Sequence, residues 1–166
     1  AIILCSIAVT CLGLLDDLFH VRARNKLLAQ ITISVVAYTL GLQIKVLTLP
    51  FIGILEMGAF SLPVTVFWFV GFMNVINLID GMDGLCAGIV AIASLAMFVV
   101  ALSLSAPVVA LFAAAIFGAL MGFLRYNFTP ASIFMGDSGS YFLGFILAAI
   151  SITGSHKSTV IVAIAA

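Results

Sequence analysis

Long apolar stretches alternate along this chain with short polar segments. The stretches cover residues 1–15, 27–43, 62–79, 85–104, 107–124, 140–155 and 158–166. A transmembrane helix needs about 20 mostly apolar residues, with a range of about 17–25. The pattern therefore predicts an all-α polytopic membrane protein with about seven transmembrane helices, of which the first and last are cut short.

The segment 44–61 departs from this pattern. It contains Lys45, Pro50 and Glu56, and apolar and polar residues alternate around Lys45. Alternation with a period of two is typical of a strand. We expect a short hairpin at the membrane interface instead of another span.

Composition supports a membrane protein. Hydrophobic residues make up 65% of the chain and charged residues 7%, whereas soluble domains carry about 25% charged residues. The net charge of zero excludes a broad basic surface for nucleic acid. Because the chain begins in one apolar run and ends in another, we interpret residues 1–166 as a single integral-membrane domain, the central fragment of a longer protein.

The acidic residues are concentrated in three places. Five of the six carboxylates lie where an apolar stretch gives way, in the motifs Asp16-Asp17, Asp80-Gly81-Met82-Asp83 and Gly136-Asp137-Ser138. A carboxylate at mid-membrane costs roughly 2.5–3.5 kcal/mol on insertion scales and is seldom kept without a function. Counting membrane crossings from one stretch to the next puts all three motifs on the same side.

The basic residues indicate which side this is. The acidic side also holds Arg22, Arg24, Lys26 and Arg125, and the opposite side holds Lys45 and Lys157. Positive residues are more frequent in cytoplasmic loops. We therefore expect one acidic site that faces the cytoplasm, and a hairpin on the extracytoplasmic side.

Each motif has a functional and a structural interpretation. Asp16 and Asp17 could bind a metal or remove a proton, or they could lie in a solvated turn. Three neighbouring basic residues could hold anionic groups, or they could anchor the chain at the cytoplasmic interface. These residues are Arg22, Arg24 and Lys26.

The second and third motifs add amides and a helix start. Asn74, Asn77 and Asp80 recur every three residues and so share one stripe of a helix, while Asp83 could also cap the next helix. Asp137 precedes a new span, where a helix N-terminus favours negative charge. Phe134 could stack on a planar base or anchor in the headgroups.

These groups together suit one class of chemistry. Mg²⁺ prefers carboxylate, water and phosphate oxygens. Carboxylates, basic side chains and glycine turns beside lipid therefore favour transfer of a phosphorylated group from a soluble nucleotide to a membrane-bound acceptor. A cation- or proton-coupled transporter is the rival class, but it would need acids spread along the membrane normal. The motifs Gly84-x-x-x-Gly88 and Gly118-x-x-x-Gly122 predict close helix packing.

Three motifs closely resemble those of the polyprenyl-phosphate N-acetylhexosamine-1-phosphate transferases, which are of the glycosyltransferase family 4 type. The motifs are Asp16-Asp17, Asn74-x-x-Asn77-x-x-Asp80-Gly81-x-Asp83-Gly84 and Phe134-x-Gly136-Asp137. The resemblance implies a multi-pass enzyme of the bacterial plasma membrane. Such enzymes move a sugar 1-phosphate from a UDP-sugar to undecaprenyl phosphate and release UMP, with Mg²⁺ or, as an alternative, Mn²⁺. A homodimer is a candidate assembly.

The resemblance also implies roles for individual residues. Asp137 resembles the metal ligand, with Asn77 as a candidate second ligand. Asp16 and Asp17 resemble the essential acidic pair, one of which is thought to deprotonate the lipid phosphate. The residues that resemble the nucleotide-contacting set are Asn77, Asp80, Asp83, Asn127 and Phe134.

Two branches of the family are compatible with the sequence. The runs around Asp80 and Asn127 look most like the branch that uses UDP-N-acetylglucosamine at the first membrane step of surface-polysaccharide synthesis. The phospho-N-acetylmuramoyl-pentapeptide transferases of peptidoglycan synthesis often carry a lysine where this chain has His20. We therefore favour the first branch and keep the second as the alternative.

Overall fold

The fold is built almost entirely of helices. A computed structural model describes residues 1–49 and 53–165. Its elements are α1 (Ile2–Phe19), α2 (Ala23–Thr39), β1 (Val46–Leu49), β2 (Gly53–Glu56), α3 (Ser61–Ile79), α4 (Leu85–Ser103), α5 (Pro107–Asn127) and α6 (Gly136–Ala165). A single 3₁₀ turn, Gly58–Phe60, precedes α3.

The predicted number of spans was too high. Stretches 140–155 and 158–166 form one helix, α6, as far as Ala165, and residue 166 lies outside the described residues. His156 and Lys157 do not end the helix, because both residue types are tolerated in helix interiors and no proline follows. Within the described ranges, four segments are long and apolar enough to cross a membrane: Ile2–Phe19, Gly58–Ile79, Leu85–Ser103 and Pro107–Asn127.

The outer faces of these helices are apolar. Large hydrophobic side chains such as Ile3, Phe67, Ile92 and Leu111 are mostly exposed. A soluble protein rarely exposes so much contiguous apolar surface. The exposed apolar faces and the four apolar helices together indicate an integral membrane protein.

The predicted hairpin is confirmed. Strands β1 and β2 pair antiparallel, with Val46 opposite Glu56. Two hydrogen bonds tie the chain before β1 to α3: the Ile44 N–H donates to Thr65 Oγ1 (2.9 Å), and Ser61 Oγ donates to the Ile44 carbonyl (2.8 Å). Residues 50–52, which include Pro50 of the predicted turn, lie outside the described residues.

Helix α6 lies at the centre of the bundle. Its residues between Tyr141 and Ile150 are nearly all buried, and α1 and α3 pack against it. Two glycines allow these close approaches. A Cβ on Gly13 of α1 would lie 2.6 Å from the Asp137 carbonyl oxygen, and one on Gly144 of α6 would lie 2.7 Å from the Phe72 carbonyl oxygen.

The predicted packing motifs do not make these contacts. A Cβ on Gly88, Gly118 or Gly122 would meet no described atom within 4 Å. A Cβ on Gly84 would lie 3.5 Å from the Asn127 carbonyl oxygen at the end of α5, so the prediction was wrong for Gly88, Gly118 and Gly122 but not for Gly84. Spacing alone does not reveal which glycines face another helix.

Candidate active site

The acidic pair lies in the last turn of α1, not in the loop after it. Asp16 is buried, with 3% of its surface exposed. Its Oδ1 accepts a hydrogen bond from the Val21 N–H (2.9 Å), and its Oδ2 forms an ion pair with Lys26. His20 ends α1 in the left-handed conformation (φ 49°), which turns the chain back toward α2.

Lys26 joins three helices. It extends from the first turn of α2 and pairs with Asp16 of α1, and its Nζ lies 3.4 Å from Oδ2 of Asp137 at the start of α6. One ammonium group therefore offsets part of the repulsion between these two carboxylates across the helix junction.

Asp17 accepts hydrogen bonds from the first turn of α6. Its Oδ1 accepts from the Asp137 N–H (2.8 Å), and its Oδ2 accepts from the N–H and the hydroxyl of Ser138 (3.1 and 2.8 Å). The first backbone N–H groups of a helix have no partner within the helix. Asp17 therefore caps α6 from a neighbouring helix, and its negative charge also suits the positive end of the helix dipole.

Asn77 of α3 completes the cluster. Its Nδ2 donates to Asp137 Oδ1 (2.7 Å) and contacts Ser140 Oγ (2.9 Å). Four helices thus contribute to a single polar site, as the crossing count predicts. The convergence of Asp16-Asp17, Asn77 and Asp137 is confirmed; their chemical roles stay predictions.

Asp80 adds a further carboxylate beside the cluster. It lies just after α3 and is half-buried. Burial and the charges of Asp137 and Asp17 raise the pKa of Asp80 from 3.8 to about 6. A carboxyl pKa raised by burial and by neighbouring charges is more frequent at functional sites than elsewhere.

Asp83 and Asn127, which are predicted to contact the nucleotide, form hydrogen bonds with a neighbouring loop. Asp83 Oδ2 accepts from the Ala131 N–H (3.0 Å). Asn127, which is buried, accepts from the Gly84 N–H through Oδ1 (3.1 Å) and donates from Nδ2 to the Ile133 carbonyl (2.9 Å). Both residues therefore hold the segment 128–135 against the turn after α3.

The remaining predicted site residues are exposed around the cluster. Phe134 has 73% of its surface exposed at the end of segment 128–135, where an aromatic ring is free to stack. Arg22 and Arg24 are also exposed, at the start of α2. Direct contact of these residues with a nucleotide or a phosphate stays a prediction.

Sequence reasoning missed Gln30. This buried side chain of α2 accepts a hydrogen bond through Oε1 from Asn74 of α3 (2.7 Å), one helical turn below Lys26. The signal was present, because Gln30 is a polar residue in an apolar stretch, four positions after Lys26 on the same helix face.

A cavity of about 330 Å³ opens at the acidic cluster. It is lined by Asp16, Asp17, His20, Val21, Lys26 and Asp137. Among the described residues, no group of three or more His, Cys, Asp or Glu side chains is arranged to hold a metal ion. Mg²⁺ is usually bound by only one or two carboxylates, with water and phosphate oxygens completing its shell, so the oxygen donors here fit Mg²⁺ with a phosphate ligand.

The chain has close relatives among known proteins. It is 40% identical over 154 residues to a probable undecaprenyl-phosphate N-acetylglucosaminyl 1-phosphate transferase of Bacillus subtilis, covering 92% of this chain and 43% of that protein. It is 42% identical over 153 residues to a phospho-N-acetylmuramoyl-pentapeptide-transferase of Listeria monocytogenes, covering 85% and 47%. A protein of the latter name from Halalkalibacterium halodurans is 37% identical, covering 97% and 53%.

These matches cover most of the chain but only part of each relative. The chain spans about half the length of the curated relatives it matches. A family model, glycosyl transferase family 4, matches residues 1–155. The matched region covers nearly the whole sequence, and the acidic residues lie together at one junction of four helices. This chain belongs to glycosyl transferase family 4.

Proposed function

We propose that the full-length protein transfers a sugar 1-phosphate from a UDP-sugar to a polyprenyl phosphate and releases UMP. The observation that carries this proposal is the junction where Asp16, Lys26 and Asp137 line one cavity at the ends of apolar helices. A soluble nucleotide can reach the cavity from the aqueous side, and a lipid phosphate from the bilayer.

Asp137 is the candidate ligand for Mg²⁺, or for Mn²⁺ as an alternative. Asn77 donates a hydrogen bond to Asp137 Oδ1 and so orients this carboxylate. Outer partners of this kind commonly fix metal ligands in place. The ion, when bound, supplies charge neutralisation at the pyrophosphate, which is the main requirement of phosphoryl transfer.

For the acidic pair we propose direct attack of the lipid phosphate on the β-phosphate of the UDP-sugar. Both oxygens of Asp17 already accept hydrogen bonds from α6, which makes it a poor nucleophile for a covalent aspartyl intermediate. Asp16 lines the cavity with Oδ1 accepting from the Val21 N–H and Oδ2 paired with Lys26, so the same argument makes it a poor nucleophile. Lys26, Arg22 and Arg24 are the candidate phosphate contacts.

UDP-N-acetylglucosamine is the donor we favour, because the runs around Asp80 and Asn127 resemble that branch and His20 stands where the other branch often carries a lysine. The alternative is a muramoyl-pentapeptide donor, which the Listeria and Halalkalibacterium relatives support. We place the protein in the bacterial plasma membrane with the cavity facing the cytoplasm. A transporter is less favoured, because the acids gather at helix ends and do not form a path across the membrane.

The decisive experiment measures UMP release by the full-length protein in detergent with Mg²⁺ and undecaprenyl phosphate. We expect release with UDP-N-acetylglucosamine and none without the lipid. Asp137→Asn should lower the rate by at least about 100-fold, since charge stabilisation of the transition state is lost. Glu56→Gln, which removes a carboxylate of the distant hairpin, is the matched control.

A donor panel separates the two branches. Release from UDP-muramoyl-pentapeptide alone would reassign the protein to the alternative branch. No release from either donor, in protein that remains folded, would contradict the proposed function.

A further inference from the structure

Lys26 lies between the two carboxylates best placed to hold a cation. Its ammonium pairs with Asp16 Oδ2 and lies 3.4 Å from Asp137 Oδ2, while 27% of the side chain is exposed toward the cavity. The other oxygens of these acids are already engaged, Asp16 Oδ1 by the Val21 N–H and Asp137 Oδ1 by Asn77. The two Oδ2 atoms are therefore the donors left for a cation.

A divalent ion bound by these same atoms would compete with the ammonium. A divalent cation and an ammonium held by the same oxygens repel each other strongly at such short separation. The ion and the ammonium therefore cannot both occupy the space between Asp16 and Asp137. One of them must leave it.

We propose that Lys26 is an internal counter-ion that a divalent metal displaces from the Asp16–Asp137 pair. This inference rests on the metal assignment within the proposed function. In the metal-free site the ammonium offsets part of the negative charge of the two carboxylates, and binding of the ion frees Lys26 to turn toward the cavity. A flexible four-carbon stem and three donors allow the freed ammonium to bind phosphate oxygens.

The exchange links metal binding to substrate binding. While Lys26 is paired with Asp16 and Asp137, its ammonium is not available to bind a phosphate in the cavity. With the metal bound, the cavity presents both the ion and Lys26. Metal and phosphate should therefore bind with positive cooperativity, because each favours the displaced position of the lysine.

The test measures Mn²⁺ binding to the full-length protein by electron paramagnetic resonance, with Mg²⁺ competition to confirm a shared site. We expect Lys26→Met to bind Mn²⁺ at least about threefold more tightly than the parent protein, because the competing cation is gone. If Lys26 only stabilises the packing of the helices, its removal would leave the affinity for Mn²⁺ unchanged or weaken it. Either of those results would overturn the proposal.

Control variants distinguish displacement of Lys26 by the metal from a general loss of positive charge. Arg125→Met removes one positive charge on the same side of the membrane from a residue that makes no ion pair with a described carboxylate, so its Mn²⁺ affinity should not change. Lys26→Gln replaces Lys26→Met if the methionine variant does not fold, and the same tightening is expected. A general loss of positive potential would tighten binding in Arg125→Met equally and would overturn the proposal.

The readout is independent of turnover. If Lys26→Met tightens Mn²⁺ binding but the parent protein releases no UMP, the exchange holds and the proposed reaction fails. If UMP is released but affinity does not rise in Lys26→Met, the reaction holds and the exchange fails.

Discussion

Asp17 shows at the scale of one residue that an acidic motif can be structural and functional at once. Its three hydrogen bonds fix the first turn of α6 and therefore the backbone of Asp137. A charged acceptor at a helix N-terminus is stabilised both by hydrogen bonding and by the helix dipole. These contacts make Asp17 a positioning residue for the first turn of α6.

Replacement of Asp17 should therefore lower stability. We expect Asp17→Ala to lower the free energy of unfolding by about 1–2 kcal/mol, the usual cost of losing an N-cap. Thermal unfolding of the full-length protein in detergent measures this, with Glu56→Ala as the control. Asp17→Asn should lose less, because its amide oxygen still accepts one hydrogen bond. Full stability in Asp17→Ala would show that the cap is dispensable.

Much of the site at this scale was predictable from the sequence. The spacing of Asn77 and the position of Asp137 before a helix predict a shared polar site, and the two side chains are in contact. The loop-binding roles of Asp83 and Asn127 were not predictable. Their partners are backbone groups 43 to 48 positions away, and nothing in the local pattern identifies such a pairing.

At the scale of whole elements, glycine contacts determine how closely the helices approach. Gly13 brings the end of α1 against the start of α6, which is why Asp17 reaches the amides of α6. Hydrophobic runs predicted the helices themselves well, and most ends differ by only a few residues. Gly13 lies three and four positions before Asp16 and Asp17, so the sequence does place it on their face of α1. The hydrophobic runs could not predict that α6 is the helix that packs there.

The contrast between Gly13 and Gly118 provides a matched test. Gly13→Ala should destabilise the protein by about 1–3 kcal/mol, since overpacking forces a backbone shift. Gly118→Ala should leave the free energy of unfolding unchanged or raise it by up to about 1 kcal/mol, because nothing described lies within 4 Å of its added Cβ and Ala is the better helix former. Thermal unfolding of both variants in detergent compares them. Equal losses would show that the α1–α6 contact is looser than described.

At the scale of the whole molecule, the arrangement is a central helix with polar groups at one end. The crossing count predicted that the three acidic motifs lie together without any knowledge of which helices touch. Joining stretches 140–155 and 158–166 into α6 does not affect the count, because both lie after residue 137. The count does depend on α2 crossing the membrane, and α2, with 17 residues, is not among the four described segments long and apolar enough to span. The pairing of α1 and α3 with α6 needed the structure, because helix neighbours in a bundle are not encoded by hydropathy.

Membrane orientation can be tested in the full-length protein with its native cysteines replaced. We expect Arg24→Cys to react with a membrane-impermeant maleimide only from the cytoplasmic side, and Lys45→Cys only from the opposite side. The reason is that α2 separates these positions and positive residues favour the cytoplasm. Inverted and right-side-out vesicles supply the two conditions. Labelling of both positions from one side would contradict the proposed topology.

The cap between Asp17 and α6 also has a consequence for biosynthesis. During translation α1 enters the bilayer well before α6, because residue 136 is made more than a hundred positions after residue 17. Until then the two adjacent aspartates of α1 lack the amide and hydroxyl donors that later bind one of them. A ribosome that stalls before α6 therefore leaves Asp17 without these donors, while Asp16 already has its partners Val21 and Lys26 close by in the chain.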